Sequence, residues 1–549
     1  MTTNTITVNY VDIIKRDMYV ASVTFNTKII KVEKISDKVD PKLDFCTPGL
    51  VDAHVHIESS MLTPQWFARM VLPHGTVAVV CDPHEIANVM GEKGVRFMMK
   101  DAAKAPLHFA FTIPSCVPAT PFETNGAVFG PEQIERLMPD GVGLAEMMNY
   151  PGLLANDPKV MAEIEIAKKA GKPIDGHIPG IVDERLAQYV AAGVSTDHES
   201  FTLEEAKAKI RQGMKILIRE GSAARNLNAL APLFKTDVDN IMACTDDAHP
   251  DDIRDRGHID KFFRRAMSDG INIFDIFKVL TLNPIEHYKL NVGRLQVGDS
   301  ADFVVLSDLG NFKVRTSYIR GEAVYDEYSG SVIRLTRTGK VNNFIERTFT
   351  DDDFKVIAPA ANPTLRVIGL VPDQIVSESL DWTPSVAEGE EVVSSVEEDI
   401  VKIAVVNRYA FAPVVNGFIR GTGLKNGAIA SSIAHDSHNV VIIGRDAASM
   451  RLVAETMFQI KGGICVLGKG VRVRRLKLPV AGLMTVSPWD IVATEYQRLI
   501  NEAKTKCGVT LSSPFMTMAF MSLLVIPSLK IGDKGLFDVD KFQMTSLFK

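Results

Sequence analysis

Pro48-Gly-Leu-Val-Asp-Ala-His-Val-His56 decides the fold. Small and apolar residues lead into a His-x-His pair, the pattern of a buried strand that ends in metal ligands. Side chains alternate along a strand, so His54 and His56 point to one face, about 7 Å apart along it. Neutral imidazoles at that spacing can grip one metal ion. Two polar residues at a strand end give the same short pattern, so the surrounding chain must decide between the two readings.

From Pro48 to about Leu290, short apolar runs alternate with helical stretches. The apolar runs predict strands ending at His56, Cys81, Ile113, Glu146, His177, His198, Glu220 and Asp246. Helices are expected over 64–72, 91–103, 131–138, 158–170, 183–192, 203–211 and 226–234. Eight strand–helix units in roughly 240 residues predict a (β/α)8 TIM-like barrel, and such barrels carry their sites at the C-terminal ends of the strands. His54, His56, Glu146, His177, His198 and Asp246 all stand at predicted strand ends, with Asp82-Pro-His84-Glu85 after the second.

On either side of the barrel the pattern changes. Thr5–Val8, Val20–Phe25 and Lys28–Val32 are short β-branched runs, and residues 293–306 read as strands that would complete their sheet. The fold class expected is therefore α/β: a barrel over residues 47–290 inserted in a small β-sandwich domain of residues 1–46 plus 291–344, and a C-terminal α/β or α+β domain over 345–549. In that last region Glu388 to Asp399, with six acidic residues, reads as a solvated loop, and the apolar run Phe515–Ile526 as a buried helix or strand.

The chain has 549 residues, too many for one core. Its net charge of -6 and scattered basic residues give no reason to expect a nucleic-acid partner. The first ten residues lack the marks of a signal peptide, and the 12-residue run ending at Ile526 is too short to span a bilayer. Six cysteines without a Cys-x-x-Cys pair fit reduced thiols, so a cytoplasmic protein with no membrane partner is expected.

Longer motifs carry a resemblance. Val51-Asp-Ala-His-Val-His-Ile-Glu-Ser-Ser-Met, Asp82-Pro-His-Glu-Ile-Ala-Asn, Glu146-Met-Met-Asn-Tyr-Pro-Gly, Asp175-Gly-His-Ile-Pro-Gly, Ile218-Arg-Glu-Gly-Ser and His435-Asp-Ser-His-Asn resemble the adenine deaminase family of the amidohydrolase superfamily. Val77 and Tyr409 depart from that pattern. The resemblance implies two divalent ions, Mn2+ or Fe2+, held by His54, His56, Glu146, His177, His198 and Asp246. Many amidohydrolases bridge their metals with a carboxylated lysine on the fourth strand; Glu146 stands there instead. The resemblance also implies hydrolytic deamination of adenine to hypoxanthine and ammonia, as in purine salvage, with hydroxide held between the metals attacking C6 and Asp246 as base or proton shuttle. A homo-oligomer, a homodimer as first guess, goes with it.

Further substrate contacts are expected from Asp247, His84, Glu85, Arg219, Glu220, Ser222, His435 and His438. Each has an ordinary alternative: an N-cap for Asp247, a structural turn for His84 and Glu85, and a plain hairpin for His435 to His438. An extra metal is a further alternative for His84 and Glu85, and a lid for the histidine loop. Two other functions compete: another cyclic-amide or amidine hydrolase of the dihydroorotase type, which Glu146 argues against, and an inactive barrel used as a scaffold. Zinc deaminases of the His-x-Glu, Cys-x-x-Cys type are excluded because that signature is missing.

Overall fold

The computed structural model describes residues 3–549 apart from 223, 332, 334, 337, 372, 373 and 471. Two compact units emerge: Met1–Pro83, Met98–Ser115 and Gly130–Thr338 form one, and His84–Phe97, Cys116–Phe129 and Gly339–Lys549 the other.

The first unit contains eight parallel strands: Leu50–Val55, Thr76–Cys81, His108–Ile113, Gly143–Met147, Ile174–Gly176, Thr196–Asp197, Lys215–Arg219 and Ile241–Cys244. They end within two residues of the positions expected. Strands one to five pair in sequence, as do six to eight. Ser195 N donates to Ile174 O at 2.9 Å and joins the two groups. The ring closes where Asp246 N donates to His54 O (2.9 Å) and His56 N to Asp246 O (3.2 Å). The barrel seam therefore runs through the backbone of three candidate ligands.

Thr76-Val-Ala-Val-Val-Cys81 is buried along its whole length, as a parallel strand covered on both faces must be. Val77 packs against the start of the first strand: a Cβ built on Gly49 would lie 2.2 Å from Val77 Cγ1. The helix expected over 226–234 is instead two short turns, Leu227–Leu230 and Leu233–Thr236, with Pro232 between them. Proline has no N–H to carry the helical ladder across that point.

The same unit holds an eight-stranded sheet made from both sides of the barrel sequence. Asn4–Asp12, Asp17–Phe25 and Ile29–Ser36 form an antiparallel meander. Phe45–Pro48 pairs parallel to Asn4–Asp12 and antiparallel to Phe303–Asp308. Lys313–Ile319, Glu322–Asp326 and Gly330–Ser331 complete the order. Tyr10, Val23, Phe25, Cys46 and Phe303 share one buried core, with Phe25 edge-on to Phe303 at 4.9 Å.

The second unit is α+β. Its eight-stranded sheet is antiparallel except where Leu365–Leu370 runs parallel to Val415–Arg420. Helix Ala447–Ile460 starts on Asp446, whose carboxylate accepts from Ser449 N at 2.8 Å, and packs Met450, Val453 and Met457 against Val440 and Ile442. The first half of the run Phe515–Ile526 lies in a mostly buried helix, Pro514–Phe520. The acidic loop is tethered rather than merely solvated: Val392 and Ser394 are buried, and Glu398 accepts from Trp382 Nε1 at 2.9 Å. Among the described residues no helix is long and apolar enough to cross a membrane.

Candidate metal centre

Strand ends bring the six candidate ligands of the first unit to one buried point. His54 and His56 turn their Nε2 atoms to within 3.2 Å of each other. Asp246 Oδ1 lies 3.4 Å from His54 Nε2 and 3.1 Å from His56 Nε2. Two ligands of one ion with bonds near 2.1 Å are separated by roughly 2.9–3.4 Å, so these atoms fit a shared cation.

Glu146 divides its carboxylate. Oε1 faces His56 Nε2 at 3.2 Å and His54 Nε2 at 3.8 Å. Oε2 faces His177 Nδ1 at 2.8 Å and His198 Nε2 at 3.3 Å. One carboxylate thus addresses two histidine pairs, the geometry a bridging ligand needs. All donors are nitrogen or oxygen, a set suited to manganese or iron as well as zinc.

The supports are local. Ser115 Oγ donates to Glu146 O at 2.7 Å. Tyr189 OH accepts from His177 N (3.1 Å) and donates to Met147 O (2.8 Å). Buried Asp197 takes hydrogen bonds from Ile178 N (3.0 Å), Ser200 Oγ (2.8 Å) and Lys209 Nζ (2.8 Å), which ties the His177 and His198 loops together. His56 Nδ1 faces Asp82 O at 3.1 Å, which orients its ring. Asp246 has a left-handed backbone (φ 56), an uncommon conformation for a residue with a Cβ and one that recurs at functional sites.

Charge is matched within the cluster. Burial works against the Glu146 carboxylate, yet His198, His177 and His56 hold it well below the usual range. Burial likewise opposes Asp246, and Arg219 with His54 and His56 outweighs it. Burial pulls His198 down, but Glu146 lifts it to about 9. The carboxylates here demand positive charge, and without a cation His56, His177 and His198 supply it by binding protons. A divalent ion would displace those protons.

Sequence reasoning missed Glu199. Its Oε1 lies 3.4 Å from His198 Nε2 and 3.7 Å from His177 Nδ1, and it is ion-paired to Arg219. The signal was its place directly after His198. Arg219 belongs to the cluster through carboxylates: its Nη1 also donates to Asp246 Oδ2 at 2.5 Å. Asp247 accepts from Ser59 Oγ at 2.5 Å. Glu220 and Ser222 are turned to their own loop, Glu220 towards Leu227 N and Ser222 Oγ towards Asp252 at 3.2 Å. His258 is fully buried, 3.2 Å from Asp52 Oδ2. Asp52 in turn accepts from Thr245 N at 3.0 Å and pins the start of the Asp246 turn.

The remaining candidates meet in the second unit. Residues 432–439 connect the antiparallel strands Ala428–Ser431 and Val440–Gly444, so His435 to His438 do lie in a hairpin loop. Glu85 Oε1 is 2.5 Å from His435 Nδ1, and Glu85 Oε2 is hydrogen-bonded to His438 Nε2. Tyr409 braces this loop, donating to Ser437 O at 2.6 Å.

The profile of the "Amidohydrolase family" matches residues 45–324, and that of the "Adenine deaminase C-terminal domain" residues 374–543. The chain is 47% identical over 552 residues to an adenine deaminase of Methanosarcina mazei, covering 98% of each chain. It is 42% identical over 544 residues to an adenine deaminase of Borreliella burgdorferi, covering 97% of this chain and 98% of that one. Among solved structures, a beta-aspartyl dipeptidase from Fervidobacterium islandicum aligns over 62% of this chain and all of its own, at 16% identity and a TM-score of 0.47. A D-hydantoinase from Thermus aligns over 60% of this chain and 96% of its own, at 12% identity and a TM-score of 0.46.

Proposed function

The chain belongs to the adenine deaminase family, and from that premise we propose that it hydrolyses adenine to hypoxanthine and ammonia. The observation that supports this most is the divided carboxylate of Glu146, with His54, His56 and Asp246 on one side and His177 and His198 on the other. In our reading those two sides hold two divalent ions, Mn2+ or Fe2+. Such ions, when bound, lower the pKa of water towards ~7 and so supply a nucleophile at neutral pH.

Asp246 is the proton carrier. Arg219 occupies its Oδ2, which leaves Oδ1 turned into the cluster. Because Asp246 stays ionised, it can accept the proton of the attacking water and pass it to the ring nitrogen or the departing amine. The exchange replaces the C6–N bond by a C6–O bond, and the two protons of water end on the ammonia and the ring. Asp247, fixed by Ser59, is our candidate for the purine edge. This reading places the chain in cytoplasmic purine salvage, in keeping with six buried cysteines that form no disulfide.

The test is ammonia release from adenine by Mn2+-reconstituted protein, beside Glu146→Gln and a panel of adenosine, dihydroorotate and hydantoin. Wild type should turn over adenine, and Glu146→Gln should lose on the order of 10²-fold or more in kcat together with bound metal. Equal activity in the variant would remove Glu146 from its role. Turnover of dihydroorotate but not adenine would overturn the substrate.

A further inference from the structure

No step of the chemistry above is assigned to the cluster in the second unit. His84 and Glu85 open the helix His84–Met90, and His435, Asp436 and His438 come from the loop between two sheet strands. All five are at most 4% exposed. We propose that they form a further divalent-metal site, with His84, Glu85, His435 and Asp436 as ligands and His438 as the group that aims Glu85.

The tautomer of His438 separates these roles. Its Nδ1 accepts from Ala434 N at 3.2 Å, so the ring proton of the neutral imidazole is on Nε2, where it is donated to Glu85 Oε2. That fixes one carboxylate oxygen and turns the other, Oε1, towards His435 Nδ1 (2.5 Å) and His84 Nε2 (3.7 Å). One ligand atom each of His84, Glu85 and Asp436 lies within 4.8 Å of the others. A ligating carboxylate held by an outer histidine is a common way to orient a metal shell.

Charge points the same way. Glu85 and Asp436 bring two carboxylates into the interior, and Glu123 and Asp533 are buried in the same unit. The neighbouring buried guanidinium, Arg408, is engaged by the carbonyls of Asn343, His438 and Ala481. Buried carboxylates are costly unless a cation or strong donors answer them. Asp436 adds to the burial that pushes the Glu123 carboxyl well above its usual range, a sign of negative charge gathered at this loop. The loop is also held in place before any ligand arrives, by Arg408, Tyr409 and Ser522, whose Oγ donates to His435 O at 3.2 Å. Imidazole and carboxylate donors without thiolate suit a first-row divalent ion.

Full-length protein grown with Mn2+ should carry about one more Mn2+ per chain than Glu85→Gln, measured by elemental analysis after gel filtration. Anomalous diffraction from wild-type crystals at the manganese edge decides the matter even if the variant misfolds. A peak bounded by His84, Glu85, His435 and Asp436 is expected. Equal metal content in folded variant and wild type overturns the proposal. So does density at Glu146 with none at Glu85, which would leave Glu85 and His438 as a hydrogen-bonded lock. Density at Glu85 with none at Glu146 would support this site while removing the barrel centre, so the two readings fail separately.

Discussion

Glu146 can address two histidine pairs because its strand delivers it to the rim between them and because its backbone is held by Ser115. Asp246 is held differently. Its backbone closes the barrel, while its side chain is shared between the His54–His56 pair and Arg219. Arg219 is a positioning residue in this scheme: it touches carboxylates, and a buried guanidinium between Glu199 and Asp246 holds both aligned and keeps Asp246 ionised. Arg219→Met should therefore lower kcat by about 10–10²-fold and shift the acidic limb of the pH–rate profile upward, with a much smaller change in KM. A profile that keeps its shape while KM rises would instead make Arg219 a substrate contact. The six candidate ligands were legible in sequence because each stands at the end of an apolar run. Glu199 and the partners of Arg219 were not, because a charged residue one step past a strand can turn either into the site or away from it, and only the neighbours decide.

At the scale of elements, the strands were readable because a parallel strand covered on both faces must be apolar throughout, as Thr76–Cys81 is. The helix broken at Pro232 and the tethered acidic loop were less so, since single buried residues such as Val392 and Ser394 leave no periodic trace. One inter-strand fit is open to test. Gly49 admits Val77 against its Cα, and a methyl group there would collide with the valine branches. Gly49→Ala should cost about 1–3 kcal/mol of stability, read from urea midpoints. Val77→Ala should recover part of that loss in the double variant. Purely additive losses would show that the two residues are not coupled.

At the scale of the molecule, burial of charge shapes the response to pH. Lys530, in strand Leu529–Gly532, is fully buried and donates to Ile375 O at 2.9 Å. Burial draws its pKa down from 10.5 to about 7. Between those values the unfolded chain binds this proton and the folded chain does not, so the contribution to stability rises with pH; below about 7 the folded state bears the whole cost of the buried ammonium. Lys530→Met should raise stability at pH 6 by on the order of 1–3 kcal/mol, and the gain should shrink as pH climbs towards 9. A gain of constant size across urea melts from pH 6 to 9 would mean that the ammonium is not the source of the cost.

Phe45–Pro48 hydrogen-bonds to Asn4–Asp12 on one side and to Phe303–Asp308 on the other. This pairing sets a timetable during synthesis. A ribosome adding roughly 5–20 residues per second takes about 13–50 s to travel from Pro48 to residue 303. Throughout that interval Phe45–Pro48 presents an open edge, and the entire barrel must emerge before the partner that covers it. The strands of residues 4–48 thus leave the ribosome long before the partner that completes their sheet, and their open edge has to be shielded in the meantime.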